Sequence, residues 1–138
     1  MNHLFYGDDK FSIREATVSL KEQAGEVDIG DVNVATFAAA NLSLDELLAT
    51  CNTVPFLSDK RVVIVDGLLT RFEHRSGLKG ASGFDSPPGL GEWEKLGSQL
   101  SNVPNSTDLV FVDGNLGKNN PLLSRIKSKV TVRIFSVP

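Results

Sequence analysis

The segment KRVVIVDG (residues 60–67) contains four consecutive β-branched apolar residues, followed by an aspartate and a glycine. A strand that faces water on one side alternates apolar and polar side chains, whereas a strand covered on both sides is apolar throughout. A second segment of the same kind, DLVFVDG, occupies residues 108–114. Two such segments predict the interior of a parallel sheet that has helices on both faces.

Three further apolar segments, two before these and one after them, also have the composition of strands. The five predicted strands are residues 3–6, 33–37, 61–65, 109–112 and 130–135. Apolar residues at helical spacing predict four helices, which begin after Asp8 or Asp9, after Ser43, at Glu92 and at Asn120. Strands that alternate with helices are joined by right-handed crossovers. The predicted fold is therefore a three-layer α/β domain with a mainly parallel five-stranded sheet.

The helix after Ser43 has the clearest start signal in the chain. Ser43 and Glu46 have the spacing of a capping box, and Leu42 and Leu47 have that of a hydrophobic staple. Cys51 ends the apolar stripe of this helix and is the single cysteine of the chain, so it cannot form an internal disulfide. A small buried hydrophobe in a reducing, cytoplasmic setting is the favoured interpretation.

The composition favours one compact domain and disfavours strong nucleic-acid binding. The chain has 138 residues, of which 41% are apolar, and a formal net charge of −3. Residues 118–133 nevertheless contain five cations and no acid, which predicts a solvated last helix or, alternatively, a weak contact with nucleic acid or an acidic partner.

Residues 76–91 are rich in glycine and predict a flexible loop. Residues 1–138 end on an apolar strand, which suggests the N-terminal domain of a longer protein.

Four aspartates follow predicted strands, at Asp8, Asp9, Asp66 and Asp113. The carboxyl ends of parallel strands share one edge of a sheet, so these carboxylates could together hold Mg²⁺. Asp8, Asp9 and Asp66 also suggest a phospho-accepting receiver domain as an alternative function. The more ordinary interpretation is that Asp8 and Asp9 cap a helix and that Asp66 and Asp113 begin turns before glycine.

A nucleotide-binding site is not indicated. The phosphates would require the pattern GxxxxGK[ST] after the first strand, whereas this chain has GDDKFSI at residues 7–13. That connection is too short and places two carboxylates where the phosphates would lie. His3 and His74 lack partners at metal-ligand spacing, and no serine or cysteine has the setting of a nucleophile. We therefore assign no catalytic residue, cofactor or metal.

Three segments together resemble the N-terminal domain of the bacterial DNA polymerase III delta subunit. They are LFYGDDKFSIREA (4–16), LSLDELLATCNTVPFLSDKRVVIVDG (42–67) and DLVFVDGNLGKNNPLLSRIKSK (108–129). The resemblance implies a degenerate AAA+ module, without a functional phosphate loop, in a clamp loader that opens a sliding clamp for loading onto primed DNA. It further implies no ATPase activity in this domain. The partners would be the clamp (beta) and the gamma/tau and delta prime subunits, with only indirect or weak contact to DNA and none to a membrane.

The resemblance also assigns a role to an apolar cluster in an unexpected place. Residues 54–57, VPFL, lie between the second helix and the third strand, where a polar turn would be usual. In the family this connector presents a hydrophobic plug to the clamp, and the matching positions are Pro55 and Phe56, with Leu57 beside them. The family often has a leucine where Pro55 stands, so Phe56 or Leu57 is expected to carry more of the contact, and the main anchor among the three residues is left open. The alternative is that Phe56 folds back over the edge of the sheet.

Overall fold

The computed structural model describes residues 2–23, 34–53, 60–72, 91–117 and 120–136. The elements in chain order are β1 (Asn2–Tyr6), α1 (Lys10–Gln23), β2 (Val34–Ala38), α2 (Leu44–Cys51), β3 (Arg61–Asp66), α3 (Leu96–Leu100), β4 (Thr107–Asp113), α4 (Pro121–Ile126) and β5 (Thr131–Ile134). Short 3₁₀ helices occupy Ala39–Asn41, Leu69–Phe72 and Gly91–Lys95. All five predicted strands and four predicted helices are present. The third predicted helix begins as a 3₁₀ turn at Gly91–Lys95 and continues as α3.

The five strands form one sheet in the order β2-β3-β4-β1-β5, and every neighbouring pair is parallel. The chain crosses two strands between β1 and β2, returns through β3 to β4, and then passes β1 to reach β5. Because right-handed crossovers in opposite directions lie on opposite faces, α1 is on one face and α2, α3 and α4 are on the other. The predicted fold class is confirmed.

The alternation of side chains along β3 explains its uninterrupted apolar sequence. Val63 and Val65 lie in the larger core cluster together with α2, α3 and α4. Val62 and Ile64 lie in the smaller cluster, which Ile13 of α1 covers. Because successive side chains of a strand point to opposite faces, a strand with a core on each side needs apolar residues at every position.

The start of α2 confirms the capping prediction and adds a contact from a distant segment. The Ser43 hydroxyl accepts a hydrogen bond from the Glu46 N–H at 3.2 Å. The Glu92 carboxylate accepts a second bond, from the Leu44 N–H, also at 3.2 Å. These two bonds satisfy two of the four N–H groups that a helix start leaves unpaired.

No helix among the described residues is long and apolar enough to cross a lipid bilayer.

Gly7 allows the chain after β5 to lie directly against the turn after β1. Its φ angle is +137°, and a Cβ at this position would lie 2.0 Å from the carbonyl oxygen of Phe135. The Gly7 N–H donates to the Gly114 carbonyl at 3.1 Å, and the Phe135 N–H donates to the Tyr6 carbonyl at 2.8 Å. The ends of β1, β4 and β5 therefore meet at one glycine, which no other residue type can replace without moving backbone.

Three glycine-to-alanine variants test this contact. Gly7→Ala combines a glycine-specific φ with a backbone collision, so we expect it to lower the free energy of unfolding by about 3 kcal/mol or more. Gly67→Ala has a φ of +87° but open space, and should cost about 1 to 2 kcal/mol. Gly114→Ala meets no atom within 4 Å and should cost little. Denaturant unfolding measures all three. Equal losses at Gly7 and Gly114 would show that the contact with Phe135 is unimportant.

Candidate functional site at the carboxyl edge of the sheet

The connection between β1 and α1 consists of three residues, Gly7, Asp8 and Asp9. The Asp9 carboxylate accepts the Ser12 N–H at 3.1 Å and the Ser12 hydroxyl at 2.7 Å. These hydrogen bonds hold the pKa of Asp9 below its usual range. Asp9 therefore caps α1, as the ordinary interpretation of the sequence expects, while the neighbouring Asp8 is exposed.

This cap occupies the place where a phosphate group would bind. The first N–H groups of a helix and its dipole favour an anion, and in this chain the anion is the protein's own carboxylate. The Asp9 N–H is also used, because it donates to the Phe135 carbonyl at 3.0 Å. A triphosphate would have to displace Asp9 and lie beside Asp8. The geometry thus argues against nucleotide binding at this connection.

We expect no saturable heat of nucleotide binding when ATP and Mg²⁺ are titrated into the protein at micromolar concentrations, because the Asp9 carboxylate occupies the start of α1. Isothermal titration calorimetry gives the measurement, and a nucleotide-binding AAA+ subunit serves as the positive control. Saturable binding that a phosphate analogue abolishes would contradict the blocking role of Asp9.

Asp113, at the end of β4, is buried, with 3% of its surface exposed. Its Oδ1 accepts the Thr70 N–H at 3.0 Å and the Thr70 hydroxyl at 2.9 Å, while Oδ2 has no hydrogen-bond partner among the described residues. Burial raises the pKa of Asp113 to about 6, although the bonds from Thr70 oppose this rise. Asp113 ends β4 directly before Gly114, and its side chain is buried because the 3₁₀ helix Leu69–Phe72 packs over it.

Two other hydrogen bonds fix the same 3₁₀ helix, Leu69–Phe72. The Asn120 side chain donates to the Leu69 carbonyl at 2.8 Å, and the Arg71 guanidinium donates to the Ala39 carbonyl at 2.8 Å. Asn120 also caps α4, because its Oδ1 accepts the N–H groups of Leu122 and Leu123. Sequence pattern alone does not reveal this network, because its members are distant along the chain. Its one sequence signal was the Asn120–Pro121 pair, which is typical of a helix start.

Replacing Asp113 by asparagine tests the burial of this carboxyl. A folded-state pKa of about 6, against an ordinary value of 3.8, means that the unfolded chain loses the proton first as the pH rises. The stability that Asp113 contributes is therefore fully present below about pH 4 and is lost as the pH approaches 6. Asp113→Asn has no ionisable group at this position, so it does not lose stability as the pH rises. Its amide oxygen still accepts the bonds from Thr70. Relative to the parent protein, it should gain up to about 3 kcal/mol of unfolding free energy between pH 4 and 7.

The measurement is denaturant unfolding of both proteins at several pH values. Asp66→Asn is the matched control, because Asp66 ends the neighbouring strand but is exposed. A stability difference for Asp113→Asn that does not vary with pH would contradict the prediction.

The aspartates at this edge do not converge on one point. Asp9 is bonded to Ser12, Asp113 lies under Thr70, and Asp8 and Asp66 are exposed. Within the part of the chain that is described, no three His, Cys, Asp or Glu side chains form a group that could hold a metal ion. The alternative of a Mg²⁺-dependent receiver domain that uses Asp8, Asp9 and Asp66 therefore gains no support.

The candidate clamp-binding residues Pro55, Phe56 and Leu57 lie outside the described residues, as does the predicted loop at 76–91 apart from Gly91. The flanks of the connector at 54–57 are described, and they lie at the amino edge of the sheet. The Thr107 hydroxyl, at the start of β4, donates to the Cys51 carbonyl at 2.6 Å. On the other flank, the Arg61 N–H donates to the Ser106 carbonyl at 2.7 Å. The connector therefore leaves and rejoins the fold opposite the edge that carries Asp9.

A family model described as DNA polymerase III, delta subunit, matches residues 3–135. This chain belongs to that family. The resemblance to this family that the sequence indicated is thus confirmed. A search of curated protein sequences finds no match.

Two solved structures resemble the fold of this delta-family chain. One is the Bacillus subtilis DNA clamp loader delta protein (YqeN), with a TM-score of 0.73 and 17% identity over 98% of this chain. The other is a DNA polymerase III gamma subunit-related protein from Thermotoga maritima, with a TM-score of 0.66 and 19% identity over 100% of this chain. The match covers 38% of the Bacillus protein and 42% of the Thermotoga protein. At these sequence identities, the similarity concerns the fold alone.

Proposed function

We propose that this domain binds a sliding clamp through Pro55, Phe56 and Leu57 and helps to open the clamp for loading onto primed DNA. The observation that carries the proposal is the delta-family match over residues 3–135. In this role the domain is a binding component without ATPase activity of its own. Its partners are the clamp and the gamma/tau and delta prime subunits, and its contact with DNA is indirect or weak.

The packing of the described residues supports an anchor in this connector. The buried stripe of α2 ends at Cys51, and Asn52 and Thr53 after it are exposed. The next strand begins at Arg61. Neither element needs residues 54–57 to complete its buried face.

The chemistry of the connector suits an anchor for a partner. Pro55 has a fixed φ and no N–H. The free turn therefore has fewer accessible conformations and loses less conformational entropy when it binds. A large aromatic side chain such as Phe56 gives much buried area at little entropic cost. The three residues together therefore match an apolar pocket on a partner better than they match a solvated turn.

Replacement of Phe56 by alanine is the direct test. Loss of a central aromatic anchor should weaken clamp binding by roughly 2 kcal/mol or more. The same substitution should lower the free energy of unfolding by less than about 1 kcal/mol, since an exposed side chain leaves no cavity. Surface plasmon resonance against the clamp of the same organism measures the first quantity, and denaturant unfolding measures the second.

Two other phenylalanines provide matched controls. Phe72 is 5% exposed and lies in the larger core, so Phe72→Ala should cost about 3 to 5 kcal/mol of stability. Phe11 is 72% exposed on α1, and Phe11→Ala should leave clamp affinity unchanged. If Phe56→Ala destabilises the fold as Phe72→Ala does and leaves clamp affinity intact, Phe56 is a core residue and the proposal fails.

A further inference from the structure

The face of the sheet that carries α1 has an open groove beside that helix. The groove has a volume of about 560 Å³ and runs between α1 and the ends of β2, β3 and β4. Ile13, Ile64 and Val112 contribute apolar surface to its lining. The opposite face of the sheet, by contrast, is packed under three helices.

The helix wall of this groove carries three cations, Lys10, Arg14 and Lys21. At positions i, i+4 and i+11 they form one stripe along α1. None of them forms a salt bridge with a described residue. Lys10 lies in the first turn of α1, directly after Asp9, whose carboxylate caps the helix. Three cations that form no salt bridge with a described residue therefore lie along one side of an open groove, and an acidic surface of a partner would complement them.

Apolar side chains are exposed next to this stripe. Phe11 is 72% exposed and Val18 is 42% exposed. They are seven residues apart and therefore share one side of α1. Aromatic side chains such as Phe11 are enriched at protein–protein interfaces relative to the rest of the surface.

We propose that the α1 face, formed by Lys10, Phe11, Arg14, Val18 and Lys21, docks an acidic and partly apolar surface of another clamp-loader subunit. This inference rests on the proposed function, which supplies the class of partner. The acidic character follows from charge complementarity with the three unpaired cations. The apolar part of the partner covers Phe11 and Val18.

A nucleic acid fits this surface less well than a protein does. Asp66 and Asp113 line the same groove, and a phosphate backbone that followed the cations would approach these carboxylates. Glu15 and Glu22, which are exposed on the next stripe of α1 beyond Phe11 and Val18, would repel it as well. The net charge of −3 gives no general attraction for polyanions. A protein surface can instead place opposite charges against both signs.

Charge reversal on α1 tests the proposal in the full-length protein. The double variant Lys10→Glu with Arg14→Glu should bind the other clamp-loader subunits at least ten-fold more weakly at low salt, and its binding should depend less on salt concentration. An acid in the first turn of α1 favours the helix, so this variant should stay folded. Phe11→Ala should weaken the same binding about five-fold or more, because the apolar contact is lost.

The matched control lies on the same helix. Glu15→Lys with Glu22→Lys removes two acids that an acidic partner would meet, so it should leave binding of the other subunits unchanged or strengthen it. All variants are compared by analytical ultracentrifugation with the remaining clamp-loader subunits, with primed DNA and with the clamp.

The outcomes separate this inference from the proposed function. Unchanged assembly of Lys10→Glu with Arg14→Glu would overturn the α1 face as a docking surface, whatever Phe56→Ala does to clamp affinity. Loss of DNA binding or of self-association, with subunit assembly intact, would also overturn it. Reduced subunit assembly with normal clamp binding would support it, even if Phe56 proves not to be the clamp anchor.

Discussion

Burial of β3 and β4 on both faces is the constraint on which the rest of the structure depends. These two strands pair over six positions, and the side chains of Val62, Val63, Leu109 and Val110 are fully buried. Each face of the pair must be covered by helix, and parallel strands can be joined only by crossovers. This requirement places all carboxyl ends of the strands at one edge and all amino ends at the other.

The carboxyl edge, where open α/β sheets usually bind ligands, serves structure in this chain. Asp9 satisfies the start of α1, Gly7 brings the chain after β5 against β1, and Asp113 holds the 3₁₀ helix Leu69–Phe72 through Thr70. The N–H groups of Asp9 and Ser12, which could otherwise meet a phosphate, are used within the fold. The buried Asp113 carboxyl makes this edge sensitive to pH, because its charge is expensive to bury without a cation beside it.

Of the two surfaces proposed for partners, one lies at the amino edge of the sheet, and the other is the α1 face, whose groove reaches the carboxyl edge at Asp66 and Asp113. The connector at 54–57 leaves and rejoins the fold at the amino edge, next to Cys51 and Arg61. The α1 face lies on the side of the sheet that a single described helix covers. Under these two proposals, the domain holds a clamp and a neighbouring subunit on separate surfaces at the same time.

The amino-acid sequence by itself determined the fold class, the presence of the five strands and four α-helices among the described residues, and the cap of α2. Each of these depends on local information: apolar periodicity, and the match between Ser43 and the N–H of Glu46. The sequence also indicated the family through three segments that occur in the same order as in the family, and it suggested Phe56 as an anchor. Tertiary structure alone decided that Asp113 is buried, because Thr70, which covers it, is 43 residues away along the chain. It likewise decided that Lys10, Arg14 and Lys21 border an open groove, because the exposure of a helix face depends on what else packs against the sheet.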